Sequence, residues 1–174
     1  LLLFFFSYVK DTALLKDIYW AESIEERRKR LMPFTWNYIE KNGQIWGNRK
    51  YGNEVAVSNP YRFSYAGYNE ILTGYADPGI IANKPRKNPN KDVLTYLNSL
   101  PAFKNKVAAF GSWNLFPYII NSTSAPVKIN AGYQLVEGDS LSLTEEAVNT
   151  LQKFSSNNHL ATRSDLLTFT LATE

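Results

Sequence analysis

The 174-residue sequence contains no cysteine, a single histidine and a single methionine. Without cysteine there is no disulfide, no thiolate nucleophile and no zinc site built on sulfur. One histidine is too few for a catalytic two-metal site completed within this chain, because such sites draw on several His and carboxylate ligands. That residue, His159, lies in the polar run Ser155-Ser156-Asn157-Asn158-His159 and reads as a solvated loop residue. Charge of one sign is also scarce: 19 Lys plus Arg face 16 Asp plus Glu, a formal net charge of +3. A nucleic-acid binder concentrates a larger basic excess on one face, so no nucleic-acid partner is expected. Long apolar runs are missing too. Leu1 to Phe6 is apolar throughout, yet it falls far short of the roughly 20 residues that span a bilayer, so no integral membrane segment is expected. The same stretch lacks a basic flank and a small-residue cleavage site, and reads as a buried strand or a truncation scar.

What is present is globular. Apolar residues make up 44% and charged residues 20% of the chain, and 174 residues suit one domain or a large piece of one. Val9, Ala13, Leu14 and Ile18 recur at helical spacing, which predicts a short helix from Tyr8 to about Trp20. Ser23-Ile24-Glu25-Glu26 is a capping-box pattern opening a helix to about Lys41, divided or kinked at Pro33 and stopped at Gly43. The run Arg27 to Arg30 lies one turn from Glu25 and Glu26, the charge mixing of a solvated helix face. Residues 44–48 and 54–58 are short, β-branched or aromatic and separated by Gly and Asn, so two strands joined by a turn are expected.

Tyr65 to Thr73 predicts a helix with Ser64 at the N-cap and Gly74 as the stop. Ala82 to Lys91, with two prolines and four basic residues, predicts an exposed connection. Asp92 to Asn98 reads as a helix. Lys106 to Phe110 reads as a buried strand of a parallel sheet, ending at Gly111-Ser112-Trp113 in the kind of strand-to-loop switch that faces ligands. Ser122 to Gly138 lacks periodicity and predicts a surface excursion, beside the glycosylation-type tripeptide Asn121-Ser122-Thr123. Helices are expected from Thr144 to Phe154 and from Ser164 onward.

A serine at a helix start has a common structural explanation, the capping of an orphan backbone N–H. The same position can also serve chemistry, because N–H groups at a helix start hold anions and a metal-bound hydroxyl becomes a nucleophile. The segment from Asn59 to Ile80, Asn-Pro-Tyr-Arg-Phe-Ser-Tyr-Ala-Gly-Tyr-Asn-Glu-Ile-Leu-Thr-Gly-Tyr-Ala-Asp-Pro-Gly-Ile, resembles the nucleophile region of the alkaline phosphatase superfamily. The nearest group is a bacterial set of alkaline phosphatase family, sulfatase-like or phosphoglyceromutase-like proteins. Their relatives, the nucleotide pyrophosphatase/phosphodiesterases, follow a nucleophilic Thr with a Thr-Gly pair whose Gly lies ten positions on, as Thr73-Gly74 follows Ser64 here. Gly79-Ile80-Ile81-Ala82-Asn83 matches a stretch that leads to an Asn binding phosphoryl oxygens. Tyr8 to Thr12, Glu25 to Arg28, Leu31 to Phe34, Gly47-Asn48-Arg49, Lys106 to Trp113 and Phe116 to Ile119 resemble the same bacterial group in the same order. Two departures stand out: Ala66 replaces a usual Pro, and Asn114 replaces an expected Asp.

The resemblance implies an α/β fold, part of a three-layer alkaline-phosphatase-like domain with a mostly parallel sheet flanked by helices, incomplete over residues 1–174 as a single partial domain. It implies Ser64 as the catalytic nucleophile, also a metal ligand through its oxygen, and Asn83 as the substrate-binding residue. Two divalent ions, zinc in the intact parent, are implied as cofactors, with their other ligands absent from this chain, so that none is expected to bind stably here. The implied substrate is a small-molecule phosphate or sulfate ester, and the implied address is periplasmic or secreted. Tyr65, Tyr68, Tyr75 and Trp113 could line a substrate pocket, although such aromatics more often build a core. From a different class, an aromatic content of 14% also suits a non-catalytic module that stacks glycans on exposed rings.

Overall fold

The computed structural model describes residues 11–120, 126–155 and 162–174. They fall into two compact units that divide between Ala56 and Val57.

In the first unit, helix α1 (Thr12–Tyr19) starts where the Asp11 carboxylate accepts the Leu14 N–H at 2.9 Å. Helix α2 (Ile24–Leu31) follows, with Ser23 Oγ accepting the Glu26 N–H at 3.1 Å. Only this half of the expected capping box forms between them, and the Glu26 carboxylate lies 3.7 Å from Lys29 Nζ. Arg27 lies over the Trp20 ring and Arg28 over Trp36, at 4.5 and 4.8 Å, so part of the basic run is spent on indoles. The chain breaks at Met32, before Pro33, and resumes as a wide π-type turn (Thr35–Ile39) leading into α3 (Glu40–Asn42). Gly43 ends it, as expected.

The two strands expected at 44–48 and 54–58 do not form. The intervening residues instead build a 3₁₀ turn (Arg49–Tyr51), capped by Asn48 and closed by Gly52 in the left-handed region. One backbone bond, Gly47 N–H to Asn53 O at 2.8 Å, joins the flanking segments, and the Asn53 amide donates to Ile45 O at 3.0 Å. Turn chemistry at Gly47, Asn48 and Gly52 outweighs the β-branched residues beside it.

The second unit holds α4 (Ser64–Thr73), α5 (Val93–Ser99), β1 (Ala108–Gly111), α6 (Phe116–Ile119), β2 (Lys128–Ala131), α7 (Leu143–Ser155) and α8 (Asp165–Thr173). Its class is α/β: β1 and β2 pair in parallel, Ala108 opposite Lys128 and Gly111 opposite Ala131. The parallel pairing of β1 agrees with its sequence, but its burial does not, because Ala108 is exposed and only Gly111 is buried. Strand β2 corrects the expected excursion over 122–138, since Asn130, Ala131 and Gly132 are buried. The tripeptide at 121–123 and His159 lie outside the described residues.

Helix α8 packs against β1 and α6 against β2. Gly111 is required where β1 ends, because a Cβ there would lie 2.3 Å from the Phe116 ring. Helix α7 begins with a complete capping box: Ser142 Oγ accepts the Glu145 N–H at 3.1 Å and the Glu145 carboxylate accepts the Ser142 N–H at 2.9 Å. The apolar core is Tyr65, Ala66, Ile80, Leu115 and Ile119, with Tyr61, Leu72, Trp113, Phe116 and Tyr118 packed around it. It includes Tyr65 and Ala66 of the first turn of α4, the turn that exposed Ser64 opens. Among the described residues no helix is long and apolar enough to cross a membrane.

Candidate functional site

Ser64 is the first residue of α4, and extended Phe63 occupies the cap position without a side-chain cap bond. The expected capping role of Ser64 therefore goes elsewhere. Asn83, 18 residues downstream, supplies the acceptor: its Oδ1 takes the Tyr65 N–H at 2.9 Å. Ser64 is exposed, and its hydroxyl has no hydrogen-bond partner among the described residues. Asn83 is exposed too. With its oxygen held by the helix, its amide NH₂ is oriented by that bond and remains available as a donor. The two residues singled out from sequence are thus joined through one backbone group, the N–H that follows Ser64.

Tyr65 fixes this arrangement from its other end. Its hydroxyl lies 2.6 Å from Arg86 O and 2.8 Å from Tyr118 O, and its side chain is buried. Burial pushes its pKa up to about 12, with the nearby Arg86 guanidinium opposing the rise, so the phenol stays neutral and donating. The loop between α4 and α5 is irregular, as expected, but it is anchored. Asn88, buried, donates to Asn69 Oδ1 at 3.0 Å and to Ile119 O at 2.9 Å. Asn90 donates to the same Asn69 oxygen and to the Asp77 carboxylate, at 3.1 and 2.6 Å. Asn69, one helical turn beyond Tyr65, is fully buried and is the hub of this network. The Asn90 amide, followed by the Gly79 N–H, holds Asp77 below the ordinary carboxylate range.

Beside this loop lies a cleft of about 280 Å³. Tyr65, Ile80, Ile81, Ala82 and Pro89 form apolar walls, and Lys84, Arg86, Lys87 and Asp77 supply charge. Ser64 and Asn83 do not line it, but each adjoins residues that do. The three cations form no ion pair among the described residues. The sequence placed them in an exposed connection; their position immediately after Asn83 was the available signal.

At the other end of α4's first turns, the Glu70 carboxylate accepts the N–H groups of Ser58 and Asn59 and the Asn59 amide, the last at 2.7 Å. The Ser58 N–H, followed by the Asn59 amide, pulls its pKa down to about 2. Of the four aromatics, Tyr65 and Trp113 belong to the core, Tyr68 meets Phe116 edge-on at 4.9 Å, and Tyr75 is exposed. Asn114 stands beside Gly132, the residue after β2.

A metal pair does not fit these donors. Among the described residues no three of His, Cys, Asp and Glu come together. The carboxylates Glu70, on α4, and Asp77, in the loop after it, are engaged by amides and N–H groups. Comparisons with family models, curated proteins and solved structures give no match.

Proposed function

We propose that this chain is the nucleophile-bearing part of a phosphoric or sulfuric ester hydrolase of alkaline-phosphatase-like fold. The observation that carries the reading is the freedom of the exposed Ser64 hydroxyl at a helix start where Asn83 accepts the next N–H, that of Tyr65. A serine kept for capping would accept the N–H of Ala66 or Gly67, two or three residues on, and Ser64 makes no such bond among the described residues; the Gly67 N–H goes to Phe63 O instead. In the reaction, Ser64 Oγ bonds to phosphorus or sulfur as the bond to the ester oxygen breaks, and the proton given up by the hydroxyl passes to the departing oxygen. Water then hydrolyses the seryl ester and restores the hydroxyl. The Asn83 NH₂ donates to a non-bridging oxygen, and the start of α4 adds its positive end. Two divalent ions, zinc by resemblance, accompany this reading in the intact parent, with their remaining ligands supplied from outside the described residues. A periplasmic or secreted address goes with the same reading.

The two short parallel strands, with no further strand beside either among the described residues, support membership of a larger sheet. The deciding experiment expresses the intact reading frame and follows p-nitrophenol release from phosphate and sulfate esters. Activity is expected, lost by at least about a thousandfold in Ser64→Ala; an unaffected variant refutes the assignment.

A glycan-binding reading is favoured by exposed aromatics in the first unit, where Phe34 and Tyr38 stack at 5.2 Å and Trp46 is 72% exposed. It predicts quenching of tryptophan fluorescence by soluble oligosaccharides, abolished in Trp46→Ala.

A further inference from the structure

The cleft beside Asn83 has a composition that the attack by Ser64 does not use. Three cations, Lys84, Arg86 and Lys87, share a concavity of about 280 Å³ with one carboxylate, Asp77. Like charges gathered in one place repel, and folding commonly relieves this by pairing each with an acid. Here none of the three has an ion-pair partner among the described residues, and Asp77 is engaged by Asn90 and the Gly79 N–H. The cleft therefore keeps a surplus of two positive charges.

The backbone under those cations is set firmly. The Lys84 N–H donates to Ala82 O at 3.0 Å and the Arg86 N–H to Lys84 O at 2.8 Å, two tight turns in succession, the second centred on Pro85. The Arg86 carbonyl is held by the Tyr65 hydroxyl, and Asn88 is held by Asn69. Charged side chains on a fixed loop lose less freedom on binding than they would on a mobile one. Buried Ile80 forms an apolar part of the cleft wall beside exposed Ile81 and Pro89. An arginine fork between two lysine point charges suits the several oxygens and double charge of a phosphate group.

We propose that this cleft binds a phosphate-type dianion, the second and non-reacting anionic group of the ester whose other end Ser64 attacks. The assignment rests on the reading of Ser64 as the nucleophile, since the cleft adjoins Ser64 and Asn83 in the chain without containing either. The substrate class is accordingly a bis-anionic ester, with one phosphate or sulfate at the serine and a phosphate in the cleft.

Titration of the 174-residue chain with pyrophosphate, read by calorimetry, tests the site without catalysis. Binding is expected, weakened at least tenfold in the triple variant Lys84→Ala, Arg86→Ala, Lys87→Ala. It should be unchanged in Lys104→Ala with Lys106→Ala, which removes two exposed cations elsewhere. All three cleft cations are exposed, and circular dichroism checks that the variants keep their fold. No binding by the wild-type chain, or full binding by the triple variant, overturns the site.

In the intact frame, phosphate release from propane-1,3-diol bisphosphate is compared with that from propyl phosphate. The triple variant should raise KM at least tenfold for the bisphosphate alone, whereas an equal effect on both esters overturns the second-group role. Retention of hydrolysis by Ser64→Ala would sink the nucleophile reading instead, a result distinguishable from any failure of the pyrophosphate titration.

Discussion

A hydroxyl that caps a helix and a hydroxyl kept for chemistry leave different marks when removed. Loss of a serine cap costs about 1 kcal/mol, but Ser64 caps nothing, so Ser64→Ala should change the urea-unfolding free energy by less than about 0.5 kcal/mol. Asn83→Ala should cost about 1 kcal/mol by orphaning the Tyr65 N–H. Asn83→Asp keeps the acceptor and should retain that stability while losing the NH₂ donor. Glu70 gives a pH signature. Its folded pKa of about 2 lies below its ordinary value of 4.5, so its contribution is complete above about 4.5 and disappears as pH falls toward 2. Urea midpoints measured down this range should fall more steeply for the native chain than for Glu70→Gln. Ser64 and Asn83 stand out in the sequence by their surroundings. Their connection does not, because a bond between residues 18 positions apart leaves no local pattern.

At the scale of elements, whatever is decided within one turn of chain is readable. Ser23 and Ser164 cap their helices with side-chain bonds that reach no more than three residues, while Asp11 caps a helix that helical spacing alone starts at Tyr8. The Ser142-x-x-Glu145 box at the start of α7 is as local, but the helix expected there starts only at Thr144, and the structure supplies the box. Strands depend on distant partners. The segments at 44–48 and 54–58 have suitable residues but are held by a 3₁₀ turn and a single backbone bond. Strand β2, only Lys128-Ile129-Asn130-Ala131, is too short to display a period, and its pairing with β1 alone identifies it. Gly111→Ala tests how closely the end of β1 is packed. Its Cβ would fall 2.3 Å from the Phe116 ring, so a loss of about 1–3 kcal/mol is expected in thermal or urea unfolding.

Across the second unit, cohesion comes as much from buried amides as from apolar packing. Arg163 shows this most clearly. It is 3% exposed and donates to Asn130 Oδ1 on β2 at 2.6 Å, Gln152 Oε1 on α7 at 3.1 Å and Thr168 Oγ1 on α8 at 2.9 Å. Its own N–H reaches Ser112 O at 2.9 Å, just beyond β1. Burial lowers its pKa, and the acceptors around it are neutral. A lysine cannot reproduce this fork, so Arg163→Lys should cost at least about 2 kcal/mol in urea unfolding. No sequence pattern announces a buried arginine of this kind, whereas the parallel pairing of β1 is legible in the apolar run from Lys106 to Phe110.

Tyr65 closes a small ring. From its N–H the path runs to Asn83, along the chain to the Arg86 carbonyl, and back through the phenol to the same residue. A ring of this size cannot yield at one vertex without straining the others, so whatever pulls on residues 84–87 also tugs the peptide group beside the serine. Amide exchange at Tyr65 should consequently slow when pyrophosphate is added and quicken in Asn83→Ala, making one proton the reporter of both events.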